Sequence, residues 1–239
     1  MRLYFIRHGQ SSNNALWDST GSSQGRSHDP VLSEIGYRQA ARLSEFLNKS
    51  DPGAGAAGRD LQNATGFGIT HLYCSLMVRA VATGTVVSET LGLPLRAWPD
   101  LHEVGGIYLD DETSGERAGL PGFNRADFAA MYPGLVLPDS LGESGWWNRP
   151  FETRDEALIR AQRFKDGLLE KHGHTSDCVA VISHGDFYNM FLAILLKVPT
   201  PPQVWFSMNN VGITRFNFDD EVSISYMNRV DFLPRDLVT

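Results

Sequence analysis

Arg7, His8 and Gly9 stand directly behind the first hydrophobic run of the chain, Leu3-Tyr4-Phe5-Ile6, and a second histidine, His184, follows Val179-Ala180-Val181-Ile182-Ser183 in the same setting. A neutral imidazole can attack phosphorus. A guanidinium can clamp two phosphate oxygens at once. Phosphoryl transfer needs both, with an acid for the leaving oxygen. Arg79, just beyond Ser75, and Glu103, in Leu101-His102-Glu103-Val104-Gly105, complete the candidate set. Taken singly, each has a duller explanation. A lone histidine is more often a hydrogen-bonded structural residue, a lone arginine a solvated charge, and a lone loop glutamate carries almost no signal. Placement at a strand end recurs for four of the five, and that shifts the balance toward an oxyanion site. A metal centre fits less well: no His-Glu-x-x-His or paired-cysteine spacing is present, and a guanidinium beside a cation is repulsive.

The elements that position these residues read as alternating strands and helices, the pattern of an α/β sheet with helices on both faces. The two histidine-terminated runs are short, apolar and β-prone, as buried parallel strands are. In such sheets ligands bind just beyond the carboxyl ends of the strands. Strand one covers about residues 2–7 and is followed by a polar loop, then by a helix from about Ser33 to Asn48. Asp51 to Gly68, with five glycines, reads as a flexible surface excursion. Ile69 to Cys74 is the next strand, and Ser75 is positioned to cap a helix reaching about Leu91. A short strand lies around Leu95. From about His102 to Pro150 the alternation breaks into a Gly- and Pro-rich insertion, with a short helix at Asp127 to Tyr132, that reads as a cap over the site. Thr153 to Glu156 is a capping box, and Ala157, Ala161, Phe164 and Leu168 mark an amphipathic helix behind it. A helix through Phe187 to Leu196 follows the second histidine strand. Gly212 to Phe218 and Val222 to Met227 close the chain as a hairpin turning at Asp219-Asp220.

Composition narrows the partners. The 239 residues carry 21 basic and 28 acidic side chains, a formal net charge of −7. Nucleic acid and anionic membranes are poor partners for that balance. No signal-peptide core or spanning segment is legible, so the expected location is the cytoplasm. Two cysteines make no disulfide framework. Cys74 closes one strand and Cys178 opens another, so parallel strands would hold the thiols at opposite ends of the sheet.

Arg7-His8-Gly9-Gln10-Ser11 with Asn14 resembles the signature of the histidine phosphatase superfamily, the phosphoglycerate mutase-like group. The likeness runs on through Gln24-Gly25, Asp29-Pro30, Leu32-Ser33, Gly36 and Gln39-Ala40. It resumes at Cys74-Ser75-Leu76, Arg79-Ala80, Thr83, Glu103, Gly142-Glu143-Ser144 and Ser183-His184-Gly185. The resemblance implies a three-layer α/β sandwich with a mostly parallel six-stranded sheet in one domain, 1–239. It implies His8 as phospho-acceptor, Glu103 as general acid, and a phosphate pocket of Arg7, Arg79 and His184. Asn14 would be a further donor and Gln24 a weaker substrate contact. Neither a metal nor an organic cofactor is expected.

Two departures from the family pattern stand out. Gln10 replaces the usual acidic residue after the Arg-His-Gly triplet. Glu103-Val104-Gly105-Gly106 lacks the arginine and tyrosine with which the cofactor-dependent mutases hold a carboxylate; Arg117, Arg125 and Arg149 are the cations available to substitute. Water is therefore the expected phosphoryl acceptor, and the first reading is a phosphomonoesterase acting on a small phosphorylated substrate. A phosphoglycerate mutase is the alternative, and a non-catalytic phosphate-binding module a third reading that the presence of both His8 and Glu103 disfavours. Trp17, Tyr108, Phe123, Trp146 and Trp147 are expected either to line an apolar cap or to form the insertion's own core. The sequence leaves the choice between monomer and homodimer open.

Overall fold

A computed structural model describes residues 1–51, 60–111, 114–198 and 204–239. Its main sheet has six strands in the order β3-β2-β6-β1-β7-β8. These are β1 (Arg2–Arg7), β2 (His71–Cys74), β3 (Leu95–Ala97), β6 (Cys178–Ser183), β7 (Ile213–Phe218) and β8 (Val222–Arg229). The four strands β3, β2, β6 and β1 are mutually parallel, whereas β7 runs antiparallel to both β1 and β8. The sheet is thus mostly parallel, as expected. A two-stranded ribbon, β4 (Tyr108–Asp110) with β5 (Arg117–Gly119), lies within the 102–150 stretch.

Alternate residues of each strand feed opposite faces. Tyr4, Ile6, Leu72, Cys74, Ala180, Ile182 and Ile213 pack with Leu43, Leu47, Ala80, Val81 and Val87, from α2 (Glu34–Leu47) and α3 (Val78–Leu91). Leu3, Phe5, Val179, Val181 and Phe216 pack with Ala157, Ala161, Phe164, Leu168, Phe187 and Phe191, from α5 (Arg154–His172) and α6 (Gly185–Leu196). Every residue of β6 is buried. That requires cover on both faces, and explains why its sequence reads as an unbroken apolar run rather than an alternating one.

Several local expectations are corrected. The polar loop after β1 contains a helix, α1 (Ser12–Thr20), closed at its start by a Ser11–Asn14 capping box and at its end by left-handed Gly21. It buries no residue and so shows no apolar stripe. Ser75 does not cap α3: the cap position is Met77, without a side-chain bond, and Ser75 Oγ accepts the Met77 N–H at 3.1 Å. The helix read as Asp127 to Tyr132 is α4 (Arg125–Met131), begun by an Asn124–Asp127 box. Of the stretch read as a surface excursion, residues 52–59 lie outside the described ones. The part after them is anchored: Phe67 is buried edge-on against Tyr4 at 5.2 Å, and Asn63 donates to the Tyr4 hydroxyl at 2.7 Å. Both cysteines are free and buried at opposite ends of the parallel strands, and burial pushes the Cys74 thiol pKa up. Among the described residues no helix is long and apolar enough to cross a membrane.

Candidate active site

The parallel register delivers the two histidines together. Arg7 pairs with Ser183, so the residues that follow, His8 and His184, leave the same sheet edge side by side. The His8 N–H donates to the Ser183 carbonyl at 3.0 Å, and the two imidazole centroids are 5.0 Å apart. The His8 carbonyl accepts the Asn210 side-chain amide at 3.0 Å and the Val211 N–H at 3.3 Å. Val211 reaches it with φ 53, a conformation rare for a β-branched residue, so the loop before β7 is held in strain against the His8 backbone. The next residue must be glycine. A Cβ on Gly9 would lie 2.6 Å from the Gly36 carbonyl oxygen, and one on Gly36 would lie 2.1 Å from that of Gln10.

His8 is oriented by two opposed contacts. Its Nδ1 is 2.6 Å from the Gly9 carbonyl oxygen, which can only accept, so Nδ1 carries the proton. Nε2 then presents a lone pair, and the Arg79 Nε–H donates to it at 3.1 Å. Burial first, and the Arg79 and Arg7 charges next, hold the His8 pKa well below the ordinary histidine value. The ring is therefore neutral at pH 7, with its unprotonated nitrogen held against Arg79.

Those cations are presented differently. Arg7 is tied by Nη1 to the Met208 carbonyl at 2.6 Å, while its buried Nε has no hydrogen-bond partner among the described residues. Arg79, in the first turn of α3, lies 3.7 Å from Asp29, whose carboxylate also accepts the Val78 N–H at 3.2 Å. Burial raises Asp29 to about 7, against the lowering pull of Arg79. His184 is wholly buried and neither ring nitrogen has a partner among the described residues; burial and then Arg79 lower its pKa. Buried donors are rarely left unpaired, and a tetrahedral oxyanion between Arg7 and His184 would satisfy these. Asn14 lines the same cavity, its Oδ1 accepting from Ser11 and, at 3.4 Å, from the Asn210 amide.

Glu103 faces this group from the loop behind the turn Pro99–Leu101. Its Oε1 accepts the N–H groups of Val104 at 2.9 Å and Phe187 at 2.8 Å, and its Oε2 that of Asp186 at 3.2 Å. The carboxyl thus sits at the positive end of α6. Desolvation, and then the Asp186 charge, outweigh these bonds and raise Glu103 to about 7. The loop is propped from beneath by a buried ion pair. Arg160 of α5 grips Glu152 at 2.8 and 2.6 Å and donates to the carbonyls of Asp100 and His102 at 2.6 and 2.9 Å.

The cavity holds about 170 Å³ and brings together Arg7, His8, Asn14, Arg79 and Glu103 among its lining residues, with His184 packed against His8 behind it. Gln24 is not brought in: it is exposed, and its N–H caps on to Ser22. Arg117, Arg125 and Arg149 are also spent elsewhere. Arg117 lies 3.5 Å from Asp110, Arg125 bonds the Leu141 and Pro138 carbonyls, and Arg149 reaches His102 at 3.2 Å. The lining instead gains Arg26, His28 and Asp186, which sequence reasoning missed. Arg26 stacks over the Tyr108 ring at 4.4 Å and lies 3.7 Å from Asp110. It falls between Gln24-Gly25 and Asp29-Pro30, and only that bracketing marks it. Of the cap aromatics, Tyr108 alone lines the cavity. Trp147, with Trp146 beside it, packs on Met77 and Ile107; Phe123 joins the core under the sheet; Trp17 is exposed.

The family model for the histidine phosphatase superfamily (branch 1) matches residues 3–228. A probable phosphoglycerate mutase of Cronobacter sakazakii is 22% identical over 229 residues, covering 91% of this chain and 85% of its own. Among solved structures, the mycobacterial glucosyl-3-phosphoglycerate phosphatase complexed with VO3 aligns with a TM-score of 0.60 at 21% identity, over 96% of this chain and 99% of that one. Phosphoserine phosphatase of Entamoeba histolytica, in complex with 3-phosphoglyceric acid, aligns with a TM-score of 0.61 at 18% identity, over 98% of this chain and 99% of that one. At these identities the structural matches speak for the fold.

Proposed function

The chain belongs to the histidine phosphatase superfamily (branch 1), and we propose that it is a phosphomonoesterase working through a phosphohistidine on His8. The observation that carries the reading is the placement of the His8 ring: Nδ1 lies against the Gly9 carbonyl, which fixes the proton there, and Nε2 faces Arg79, whose Nε–H it accepts at 3.1 Å. The Nε2 lone pair forms the N–P bond as the bridging P–O bond breaks in line. The departing oxygen takes the electrons of that bond and the Glu103 proton, and leaves as the alcohol. Arg79 exchanges its bond to Nε2 for one to a phosphoryl oxygen, and Arg7, His184 and Asn14 complete the cradle for the equatorial charge. Glu103, now ionised, accepts a proton from water as that water attacks phosphorus. The N–P bond then returns its electrons to Nε2 and inorganic phosphate departs.

A volume near 170 Å³ lies below the roughly 300 Å³ at which drug-sized pockets begin, which supports a small phosphorylated metabolite as substrate. Water as acceptor is supported by the position after Glu103, which is Val104, and by Arg125 and Arg149, which bond the Leu141 and Pro138 carbonyls and His102 and do not line the cavity. Mutase chemistry uses the same first half and differs in returning the phosphoryl group to the organic product. A panel of phosphorylated metabolites, assayed in parallel for free phosphate and for positional isomers, separates the two. Stoichiometric phosphate release with no isomer is the expected result. Isomer formation exceeding phosphate release on any substrate would make the protein a mutase.

A further inference from the structure

At the opposite end of the sheet from His8, three metal-capable side chains meet. His71 opens β2, His172 closes α5, and Asp177 immediately precedes β6. Parallel pairing sets His71 opposite Val179 and so beside the loop that carries Asp177. His172 Nδ1 lies 2.7 Å from Asp177 Oδ2, and His71 Nδ1 lies 3.8 Å from the same oxygen. The two ring centroids are 4.6 Å apart, and one donor atom from each residue falls within 4.8 Å of the others. A His172–Asp177 hydrogen bond alone would close the end of α5. The His71 ring, hydrogen-bonded through Nδ1 to Thr70 Oγ1 at 2.9 Å, stands beside the same carboxylate oxygen.

The surroundings are built to hold such a cluster. The Tyr73 hydroxyl is 3.1 Å from His172 Nε2 and fixes the ring, the role that outer partners play for metal-bound histidines. Thr175 Oγ1 donates to the His172 carbonyl at 2.9 Å and accepts the Asp177 N–H at 3.0 Å, pinning the loop between two of the donors. Thr70 Oγ1, 2.9 Å from His71 Nδ1, is exchangeable, because the Cys178 carbonyl lies 3.3 Å from the same hydroxyl.

We infer that His71, His172 and Asp177 bind one first-row divalent cation, zinc by preference, fastening the amino edges of β2 and β6 to the end of α5. Two imidazoles and one carboxylate are a borderline N₂O donor set that suits zinc and leaves room for water. Ligand atoms about 2.0 Å from a tetrahedral ion are about 3.3 Å apart, so binding draws His71 in from 3.8 Å and parts His172 from Asp177, now 2.7 Å apart. His71, with a side chain 37% exposed, makes that movement and provides the entry path.

The test uses the full chain without an affinity tag, stripped with EDTA and titrated with zinc chloride by calorimetry. A parallel cobalt titration is followed by visible absorption. One zinc per chain is expected to bind here. His71→Ala and Asp177→Asn should each weaken it at least tenfold and abolish the cobalt band. His174→Ala, an exposed histidine outside the cluster, should leave both unchanged. Zinc at about a hundred times its dissociation constant should raise the unfolding midpoint by about 5–10 °C in wild type and His174→Ala only. Metal-free His71→Ala should release phosphate at the wild-type rate. Zinc binding that survives both cluster substitutions would place the metal elsewhere, the His8–His184 pocket first, and overturn the inference. So would the absence of binding below about millimolar zinc.

Discussion

Replacing Glu103 with glutamine removes one titration from the pocket while keeping the side chain's shape. Burial and the neighbouring Asp186 raise this carboxyl from 4.5 to about 7. The folded protein therefore holds the proton more tightly than the unfolded chain. The stability this contributes is complete below about pH 4.5 and is lost as pH rises through about 7. A gap of that size corresponds to about 3 kcal/mol, trimmed to about 2 because the side chain keeps some contact with solvent. The glutamine also puts an amide NH₂ against one of the three N–H groups of Val104, Asp186 and Phe187 that the carboxylate accepts. That costs about 1–3 kcal/mol, but equally at every pH. The differential is thus the clean quantity. Urea unfolding from about pH 5 to pH 8 should show Glu103→Gln gaining on wild type by about 2 kcal/mol across the range. Parallel stability profiles, or a gain toward low pH, would refute the raised carboxyl. The same proton is the one a poor leaving group needs. Glu103→Gln should therefore depress hydrolysis of alkyl phosphates far more than that of nitrophenyl phosphate, provided phosphorylation limits both.

Arg7→Ala and Arg79→Ala should each lower kcat by about 10²–10³, the usual loss for one preorganised oxyanion donor; a change confined to KM would place the residue outside the reacting centre. Because Arg79 helps hold the His8 pKa down, Arg79→Ala should also raise it and move the acid limb of the pH–rate profile to higher pH, which the kcat/KM profile reads directly. Glu152→Gln should destabilise the fold by about 3–5 kcal/mol by leaving the Arg160 charge buried and unpaired, and should lower kcat through the Glu103 loop. Thermal unfolding checks the first effect, and an unchanged midpoint would mean the pair does not brace that loop.

How much of this was legible in the sequence follows from what each signal rests on. Strands β1 and β6 and the helices of both faces announce themselves because burial on two sides demands continuous apolar runs, and amphipathic helices demand periodic ones. The juxtaposition of His8 and His184 was readable too, since parallel strands ending in His-Gly open on one edge. Helix α1 was not readable, because it buries nothing and owes its start to a local cap. Neither was the Arg160–Glu152 prop: Arg160 sits among Ala157, Ala161 and Phe164 on the buried face of α5, where a charge reads as an interruption rather than a partner. Arg26 and His28 escaped because a wall residue on an irregular loop carries no periodicity, and Gln24 shows the converse, a motif neighbour that faces solvent. The Trp146-Trp147 pair does not line the cavity; it ties the insertion to the body of the fold, packing on Ile107 and on Met77 at the start of α3.

The phosphohistidine is the central claim, and trapping it is the direct measurement. Enzyme mixed with a ³²P-labelled substrate and quenched in alkali within a turnover should carry acid-labile, base-stable phosphate. Peptide mapping should find that label on Nε2 of His8, with His8→Ala unlabelled, inactive and still able to bind inorganic phosphate. Label recovered on His184, or phosphate release by His8→Ala at the wild-type rate, would contradict the account.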